Sequence, residues 1–263
     1  ALSICLDIPF GEWQLAHFHG RHNMEREFER IPIPHGITRL RSTLGTSSHQ
    51  HNPALILCEE DAGEDHGACY GLNLVYSGSF TAEVEKDQMG LVRAVMGQGD
   101  GTFTWALEHG EVFDTPEVVC CFSAEGYSRL SHCFHNIYRA NLCRGMYKQA
   151  PRPVLVNSWE AAYFDFDAEK MLDIARAAKP LGIDLFVMDD GWFGQRDSDT
   201  RALGDWTVNR QKLPGGLEPL IKKVNALGMK FGIWFEPEMV SEDSELYRAH
   251  PDWALAIPGR GPT

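Results

Sequence analysis

The chain has 263 residues, of which 43% are hydrophobic, and this is enough for the core of one large domain or of two small domains. Its formal net charge of −13 at pH 7 argues against a nucleic-acid partner, because phosphates require a basic surface. No apolar run approaches the roughly 18 residues that a membrane-spanning helix needs. The seven cysteines include no Cys-x-x-Cys pair, so we expect reduced thiols in a cytoplasmic protein and no disulfide framework.

The N-terminal half shows little helical periodicity and predicts a β-sandwich over residues 1–127. Thr102–Leu107 alternates as a half-buried strand does, and Leu91–Met96 is a further strand candidate. Asn73–Val84 predicts two strands around a Ser-Gly-Ser break. The glycine-rich segment Gly97–Gly101 is typical of a loop between antiparallel strands.

A helix and a linker separate this half from the rest of the chain. The segment Ser128–Arg144 places five apolar residues on one side of a predicted helix, namely Leu130, Phe134, Ile137, Tyr138 and Leu142. Pro151 and Pro153 then mark the entry into the next domain. We therefore predict a linking helix and linker over residues 128–150 and a second domain over residues 151–263.

The second domain alternates strand and helix patterns three times. Short apolar strand candidates lie around Val154–Val156, Leu185–Met188 and Phe231–Phe235. Asp167 is expected to cap the helix that follows the first strand, and Glu242–His250 to form the third helix. This alternation implies parallel strands joined by right-handed crossovers. The predicted fold is an N-terminal β-sandwich followed by the first part of a (β/α)8 TIM barrel.

Acidic or aromatic residues come where each of these strands ends. Trp159 follows the first strand, Asp189 and Asp190 follow the second, and Trp234 lies at the end of the third. In such barrels the C-terminal ends of the strands build the active site. Carboxylates accept hydrogen bonds from hydroxyl groups, and an indole covers an apolar sugar face, so the pattern predicts a shared sugar pocket. The alternative is a cap aspartate, a satisfied loop aspartate and a core tryptophan at Trp192.

Four motifs, in this order and spacing, resemble the melibiase-like α-galactosidases of glycoside hydrolase family 36. They are NSWEA at Asn157–Ala161, DDGWFG at Asp189–Gly194, LGDW at Leu203–Trp206 and KFGIWFEPEM at Lys230–Met239. The segment LGTSSHQHNP at Leu44–Pro53 also resembles the N-terminal β-domain of that family. The resemblance therefore covers nearly the whole chain.

The resemblance implies a role for each of the predicted site residues. Asp189 and Asp190 would accept hydrogen bonds from galactose hydroxyls O4 and O6, and so would select the axial 4-hydroxyl. Trp159 and Trp234 would line the same subsite. The resemblance also implies an oligosaccharide substrate with terminal α-galactose, such as raffinose or melibiose. It implies no cofactor and no metal ion, and in many members a homotetramer.

The residues that perform the chemical step are expected elsewhere. The resemblance implies retention of configuration through an aspartate nucleophile in a Lys-x-Asp-x-Asn motif and through a later aspartate acid/base. This sequence contains no such motif, opens at Ala1 without a methionine and stops at Thr263 after three strand–helix units. We therefore expect an internal fragment of a longer enzyme that is poorly soluble or partly folded alone. A nucleophilic role for Glu236 or Glu238 is the alternative.

Histidines in the N-terminal half raise the question of a metal site. His49 and His51 would share one face of an extended segment and such a pair can bind a metal ion. No further ligand is identifiable, so hydrogen-bonded surface histidines are the simpler interpretation. His17, His19 and His22 are expected on a solvated face, because the surrounding stretch is rich in charges.

Three alternatives stay open for the site and for the function. Asp189, Asp190 and Glu236 could hold a divalent cation, although the implied hydrolysis needs none. Related enzymes of the raffinose-synthase type transfer galactosyl groups through the same kind of covalent intermediate, so an α-galactosyl transferase is a second hypothesis. A non-catalytic galactose-binding protein is the third, if Thr263 is the natural end of the chain.

Overall fold

The computed structural model describes residues 2–99 and 103–260. The chain divides into two compact units, Ala1–Gln149 and Ala150–Thr263. Within the described ranges, no helix has both the length and the apolar character needed to cross a membrane.

The first unit is built from two antiparallel sheets. Its strands in the described residues are β1 (Leu2–Ile8), β2 (Trp13–Arg21), β3 (Met24–Pro32), β4 (Gly36–Ser42), β5 (His51–Glu59), β6 (Cys69–Leu74), β7 (Phe80–Lys86), β8 (Val92–Gln98) and β9 (Val118–Ser123). One sheet has the order β3-β2-β5-β6-β9 and the other the order β1-β8-β7-β4. Every pairing of neighbouring strands in the two sheets is antiparallel.

The core of the first unit comes from alternate residues of both sheets. In β7 the buried positions are Phe80, Ala82 and Val84, two residues apart, as one face of a strand requires. Leu57 and Leu72 of the other sheet belong to the same apolar cluster. Since both sheets contribute their inner faces to one cluster, the predicted β-sandwich is confirmed.

One local prediction for this unit is wrong, and a second is wrong at its first residue. Residues 103–107 form an exposed irregular segment and no strand, while Thr102 lies outside the described residues. The two aromatic rings of this segment, Phe103 and Trp105, stack on one another with their centroids 6.3 Å apart. Gly97, which we expected in a loop, pairs with Thr81 within β8. Residues 100 and 101 lie outside the described part of the chain.

The predicted helix at Ser128–Arg144 is confirmed as α1 (Gly126–Ile137) followed by a π-helical turn at Tyr138–Leu142. It packs on β6 and β9 in the first unit. Gly71 makes this packing possible, because a Cβ atom there would lie 2.6 Å from the ring of Phe134. Only a residue without a side chain fits at that point of the sheet.

The histidines of this unit differ from the sequence-based expectation. His49 lies in an exposed loop and His51 in β5, so the two do not form a pair in one extended segment. His17, expected in solvent, is only 5% exposed, and its Nε2 lies 3.3 Å from Glu29 Oε2. Across residues 2–99 and 103–260, no group of three or more His, Cys, Asp or Glu side chains is arranged to hold a metal ion.

The described part of the second unit, residues 150–260, contains three parallel strands in the order β10-β11-β12, which are β10 (Leu155–Asn157), β11 (Leu185–Met188) and β12 (Lys230–Ile233). Its α-helices among the described residues are α2 (Trp159–Ala162), α3 (Ala168–Ala178), α4 (Leu217–Ala226) and α5 (Glu245–Ala249). The register is simple, because Leu155 and Lys230 both pair with Leu185. The predicted alternation of parallel strands and helices is confirmed.

Helix α3 shows why the local sequence folds as predicted. The Asp167 carboxylate accepts the Lys170 N–H at 2.9 Å and caps the helix. Met171, Leu172 and Ala175 face inward and are buried with Phe186 of β11 in the core of this unit. Apolar side chains therefore cover strand β11, and the polar residues Asp189 and Asp190 come only after its C-terminal end.

Candidate functional site

The ends of β10, β11 and β12 place the four predicted site residues on neighbouring strands. Asp189 and Asp190 follow the central strand β11, Trp159 follows β10 and Trp234 follows β12. The backbone N–H of Trp234 donates to the carbonyl oxygen of Met188 at 3.0 Å. Trp234 is therefore hydrogen-bonded to the residue that precedes Asp189. The C-terminal ends of the three strands thus form one edge that carries both acids and both indoles.

Asp189 is held by two residues from the end of β10. The Ser158 hydroxyl accepts the Asp189 backbone N–H at 3.1 Å, and the Asn157 side-chain amide donates to the Asp189 carboxylate. The same Asn157 side chain accepts the Trp159 N–H at 2.7 Å. Asn157 therefore links the carboxylate of Asp189 to the backbone of Trp159. Sequence reasoning did not assign this role, although the residue opens the NSWEA motif.

Asp190 is buried in an ion pair that the sequence did not reveal. The residue is 7% exposed, and its carboxylate accepts from Arg196 Nη2 at 2.8 Å and from Arg196 Nε at 3.0 and 3.1 Å. Arg196 is itself 4% exposed and donates through Nη1 to the carbonyl oxygens of Asp199 and Arg201, both at 2.9 Å. A fork-shaped guanidinium thus fixes the orientation of the Asp190 carboxylate.

A second cation, Lys212, lies beside this ion pair. Its Nζ donates to the carbonyl oxygens of Phe164, Gly191 and Arg196 at 2.8, 2.9 and 3.1 Å. Burial lowers the pKa of Lys212, while the nearby carboxylates of Asp197, Asp190 and Asp165 act in the opposite direction. Lys212 therefore ties the turn after Asp190 to the backbone of Arg196.

The aromatic residues divide into a buried group and a partly exposed group. Trp192 is 2% exposed, and its Nε1 donates to the Trp234 carbonyl oxygen at 3.0 Å, so the core-tryptophan alternative describes Trp192 correctly. Trp234 is half-buried and stacks on Phe193 with a centroid distance of 6.4 Å. Trp159 is also half-buried and meets Phe164 edge-on at 5.1 Å. Trp159 and Trp234 therefore keep surface for a ligand.

In the motif at Leu203–Trp206, the aspartate Asp205 has a structural role. The Asp205 carboxylate accepts the backbone N–H groups of Glu245 and Leu246, both at 3.0 Å, and so fixes the start of α5. Trp206 packs against Trp234 with a centroid distance of 6.2 Å. The loop after β11 thus supports the segment that follows β12.

The charges at the strand ends disfavour a divalent cation. Both oxygens of Asp190 accept from the cationic Arg196, and this neighbouring positive charge repels a divalent cation. Burial, and next the charge of Glu238, raise the pKa of Glu236, which also interacts electrostatically with Arg196 and Asp190. The arrangement suits the recognition of neutral hydroxyl groups by hydrogen bonding.

The parallel strands alternating with helices, after an N-terminal β-sandwich, assign the second unit to the class of (β/α)8 barrels, in which the strand ends carry the active site. Comparison with protein families agrees with this assignment. The family described as melibiase matches residues 112–263, and the glycosyl hydrolase family 36 N-terminal domain matches residues 1–108. The chain belongs to the melibiase family.

Individual relatives cover the whole chain. It is 53% identical over 262 residues to the bifunctional alpha-galactosidase/sucrose kinase AgaSK of Mediterraneibacter gnavus, covering 100% of this chain and 28% of AgaSK. It is 51% identical over 260 residues to alpha-galactosidase AgaA of Geobacillus stearothermophilus, covering 99% of this chain and 36% of AgaA. The chain therefore spans 28% and 36% of the length of these two relatives.

The solved structures place the same fold in known α-galactosidases. The crystal structure of AgaA from Geobacillus stearothermophilus superposes with a TM-score of 0.94 at 50% identity, covering 99% of this chain and 36% of that one. Variants of AgaA have been crystallised in complex with raffinose and with stachyose. The expected fold, a β-sandwich followed by the first part of a (β/α)8 barrel, is confirmed.

Proposed function

We propose that the protein hydrolyses terminal non-reducing α-D-galactose residues of α-galactosides with retention of configuration. Trp159, Asp189, Asp190 and Trp234 form part of its galactose-binding subsite in this proposal. Membership of the melibiase family and the relatives named alpha-galactosidase support the reaction. The observation that carries the proposal is the Asn157 amide, which joins the Asp189 carboxylate to Trp159 across two strand ends.

Asp189 is suited to accept hydroxyl hydrogen bonds. It is half-buried, and its carboxylate accepts from the Asn157 amide and from the Asp190 N–H, the latter at 2.7 Å. A carboxylate offers about four lone-pair positions, so acceptor capacity remains for a sugar hydroxyl. A hydrogen bond to an ionised acceptor is stronger than one to a neutral acceptor, which favours a sugar whose hydroxyl reaches Asp189.

The two half-buried indoles complement these acceptors. Trp159 and Trp234 follow the strands that flank β11 and offer apolar surface without competing hydrogen-bond acceptors. In this arrangement the acids select hydroxyl positions and the indoles cover the apolar face of the ring. Water is excluded at the same time, which strengthens the hydrogen bonds to the carboxylates.

The chemical step requires a second pair of groups. Retaining glycoside hydrolysis uses a carboxylate nucleophile and an acid/base carboxyl group about 5–5.5 Å apart. We assign no residue of this chain to either role. The contribution of Asp189 and Asp190 is to hold the galactose ring in place, which converts binding energy into rate when the contacts strengthen in the transition state.

The proposal is tested with the protein expressed from its complete gene. We expect hydrolysis of p-nitrophenyl α-D-galactoside and of raffinose, no comparable hydrolysis of the α-glucoside, and release of the α-anomer of galactose first in ¹H NMR. Release of the β-anomer first, or equal rates on the α-glucoside, contradicts the proposal. Galactosyl transfer to a sugar as the main product supports the transferase hypothesis, and galactose binding without turnover supports the binding-protein hypothesis.

A further inference from the structure

The buried ion pair between Arg196 and Asp190 assigns a residue to the site beyond the four proposed to meet galactose. We propose that Arg196 is a positioning residue, which holds the Asp190 carboxylate in the orientation that accepts a substrate hydroxyl. This inference rests on the proposed function and deepens it. Nothing in the motif pattern of the sequence points to Arg196, which follows DDGWFG after one glutamine.

The donors of Arg196 leave the guanidinium little freedom to rotate. Nε and Nη2 donate to Asp190, and Nη1 donates to two backbone carbonyl oxygens, those of Asp199 and Arg201. The ring of Phe164 lies 5.6 Å from the guanidinium carbon, so the plane of the group is also covered. The planar fork of donors therefore imposes one orientation on the carboxylate.

Lys212 anchors the backbone on both sides of this ion pair. Its ammonium donates to the carbonyl oxygens of Phe164, of Gly191, directly after Asp190, and of Arg196 itself. The Lys212 ammonium also lies 4.6 Å from the centroid of the Phe166 ring. The segment that carries both partners of the ion pair is thus held at its two ends, as a positioning device requires.

Asp190 retains a small amount of acceptor capacity that depends on its orientation. The residue is 7% exposed, so a substrate hydroxyl can reach only a narrow part of the carboxylate. Arg196 occupies some of the roughly four lone-pair positions and leaves others for a ligand. A rotation of the carboxylate would change the direction of the remaining lone pairs and so weaken their hydrogen bond with a substrate hydroxyl.

Charge alone cannot perform this role, and that makes the inference testable. A lysine at position 196 keeps the positive charge but has no planar fork, so it cannot hold the carboxylate through two nitrogen atoms at once. Displacement of a positioning contact by about 1 Å lowers turnover by about 100-fold. We expect Arg196→Lys to lower kcat/KM for p-nitrophenyl α-D-galactoside by about this factor.

The experiment uses Arg196→Lys, Arg196→Ala, Asp190→Asn and the double variant Asp190→Asn/Arg196→Ala, all in the protein expressed from its complete gene. Guanidinium ion, at concentrations that leave the thermal melt of the wild type unchanged, should restore the kcat/KM of Arg196→Ala about tenfold, whereas methylammonium should not. The rescue should be absent in the double variant, because guanidinium acts through Asp190. Arg176→Ala is the matched control, since Arg176 is an exposed arginine that also donates to two carboxylates, those of Glu169 and Asp173.

The outcomes separate this inference from the proposed function. A folded Arg196→Lys variant with wild-type kcat/KM overturns the positioning role. So does a loss in Arg196→Ala that guanidinium does not restore, or a rescue that persists when Asp190 is asparagine. If the wild-type protein fails to hydrolyse the α-galactoside, the proposed function fails and this inference fails with it. Rescue that depends on Asp190, together with unchanged kinetics in Arg176→Ala, supports the inference.

Discussion

The core of the β-sandwich and the strand ends of the second unit bury side chains in opposite ways. The sandwich core is an apolar cluster that includes Leu57, Phe80 and Met96. The strand ends instead bury the charged side chains of Asp190 and Arg196. Burying charges is expensive even when they are paired, so the second arrangement is a poor way to gain stability. The ion pair does fix the orientation of the Asp190 carboxylate. We infer that the sandwich core mainly provides stability and that the strand ends mainly orient functional side chains.

The largest expected effect is on the sandwich core. Phe80 is fully buried, so Phe80→Ala should lower the free energy of unfolding of the first unit by about 3–5 kcal/mol. Amide hydrogen exchange of β7 and β8 measures this change for the first unit separately. Phe10→Ala is the control, since Phe10 is 79% exposed and its removal should change stability by no more than about 0.5 kcal/mol. A similar loss in both variants would contradict the apolar-core account.

At the strand ends, removing one partner of the ion pair should lower stability more than replacing both partners with apolar residues. Asp190→Ala leaves Arg196 buried without its carboxylate, and should lower the stability of the second unit by about 3 kcal/mol. The double variant Asp190→Leu/Arg196→Met replaces both charges with apolar groups, and should recover stability to within about 1 kcal/mol of the wild type while galactoside hydrolysis stays impaired. Hydrogen exchange and kcat/KM measure the two properties. Recovery of both would show that the pair has no role in orientation.

A smaller effect is expected at the start of α3. The Asp167 carboxylate accepts the Lys170 N–H, so Asp167→Ala should destabilise the helix by about 1 kcal/mol. Exchange of the Lys170 amide hydrogen reports the loss directly. Asp173→Ala on the same helix removes an exposed ion pair with Arg176 and should cost less, about 0.5 kcal/mol or below. Equal exchange rates in the two variants would rule out the capping role.

The smallest effect is a pH dependence of the stability of the first unit. Burial lowers the pKa of His17 and His51 below the ordinary value of 6.5, although the nearby Glu29 acts in the opposite direction and His19 adds repulsion. The unfolded chain therefore binds more protons than the folded chain just below that pH, and the stability of the first unit should fall as pH decreases through 6.5. His17→Gln should flatten this dependence. A free energy of unfolding that increases as the pH is lowered through 6.5 would contradict this prediction.

The sequence predicts the position of the site better than its internal contacts. Asp189, Asp190 and Trp234 could be placed because the end of an apolar strand is visible in the order of residues. The orientation of Trp192 could not, because whether its indole faces the core depends on the segment after β12, where it donates to the Trp234 carbonyl oxygen. Asn157 was visible as part of a motif, but its double contact required knowledge of the strand register.

Contacts to backbone carbonyl groups explain most of what the sequence did not reveal. Arg196 and Lys212 bind carbonyl oxygens that every residue possesses, so no pattern of residue types marks their partners. In the first unit, the expected solvation of His17 was wrong because burial depends on how β2 lies between β3 and β5. Alternation at Thr102–Leu107 suggested a strand, but no sheet edge accepts the described residues of that segment.

The most direct test of the account compares two aspartates at opposite ends of strand β11. Asp184 precedes the strand and lies exposed, whereas Asp189 follows it and joins the network with Asn157. In the protein expressed from its complete gene, Asp189→Asn should lower kcat/KM for p-nitrophenyl α-D-galactoside by about 1.5–3 kcal/mol of transition-state stabilisation, because an ionised acceptor is lost. Asp184→Asn should leave kcat/KM unchanged. Wild-type kcat/KM in Asp189→Asn, or an equal loss in both variants, would contradict the placement of the galactose subsite at the strand ends.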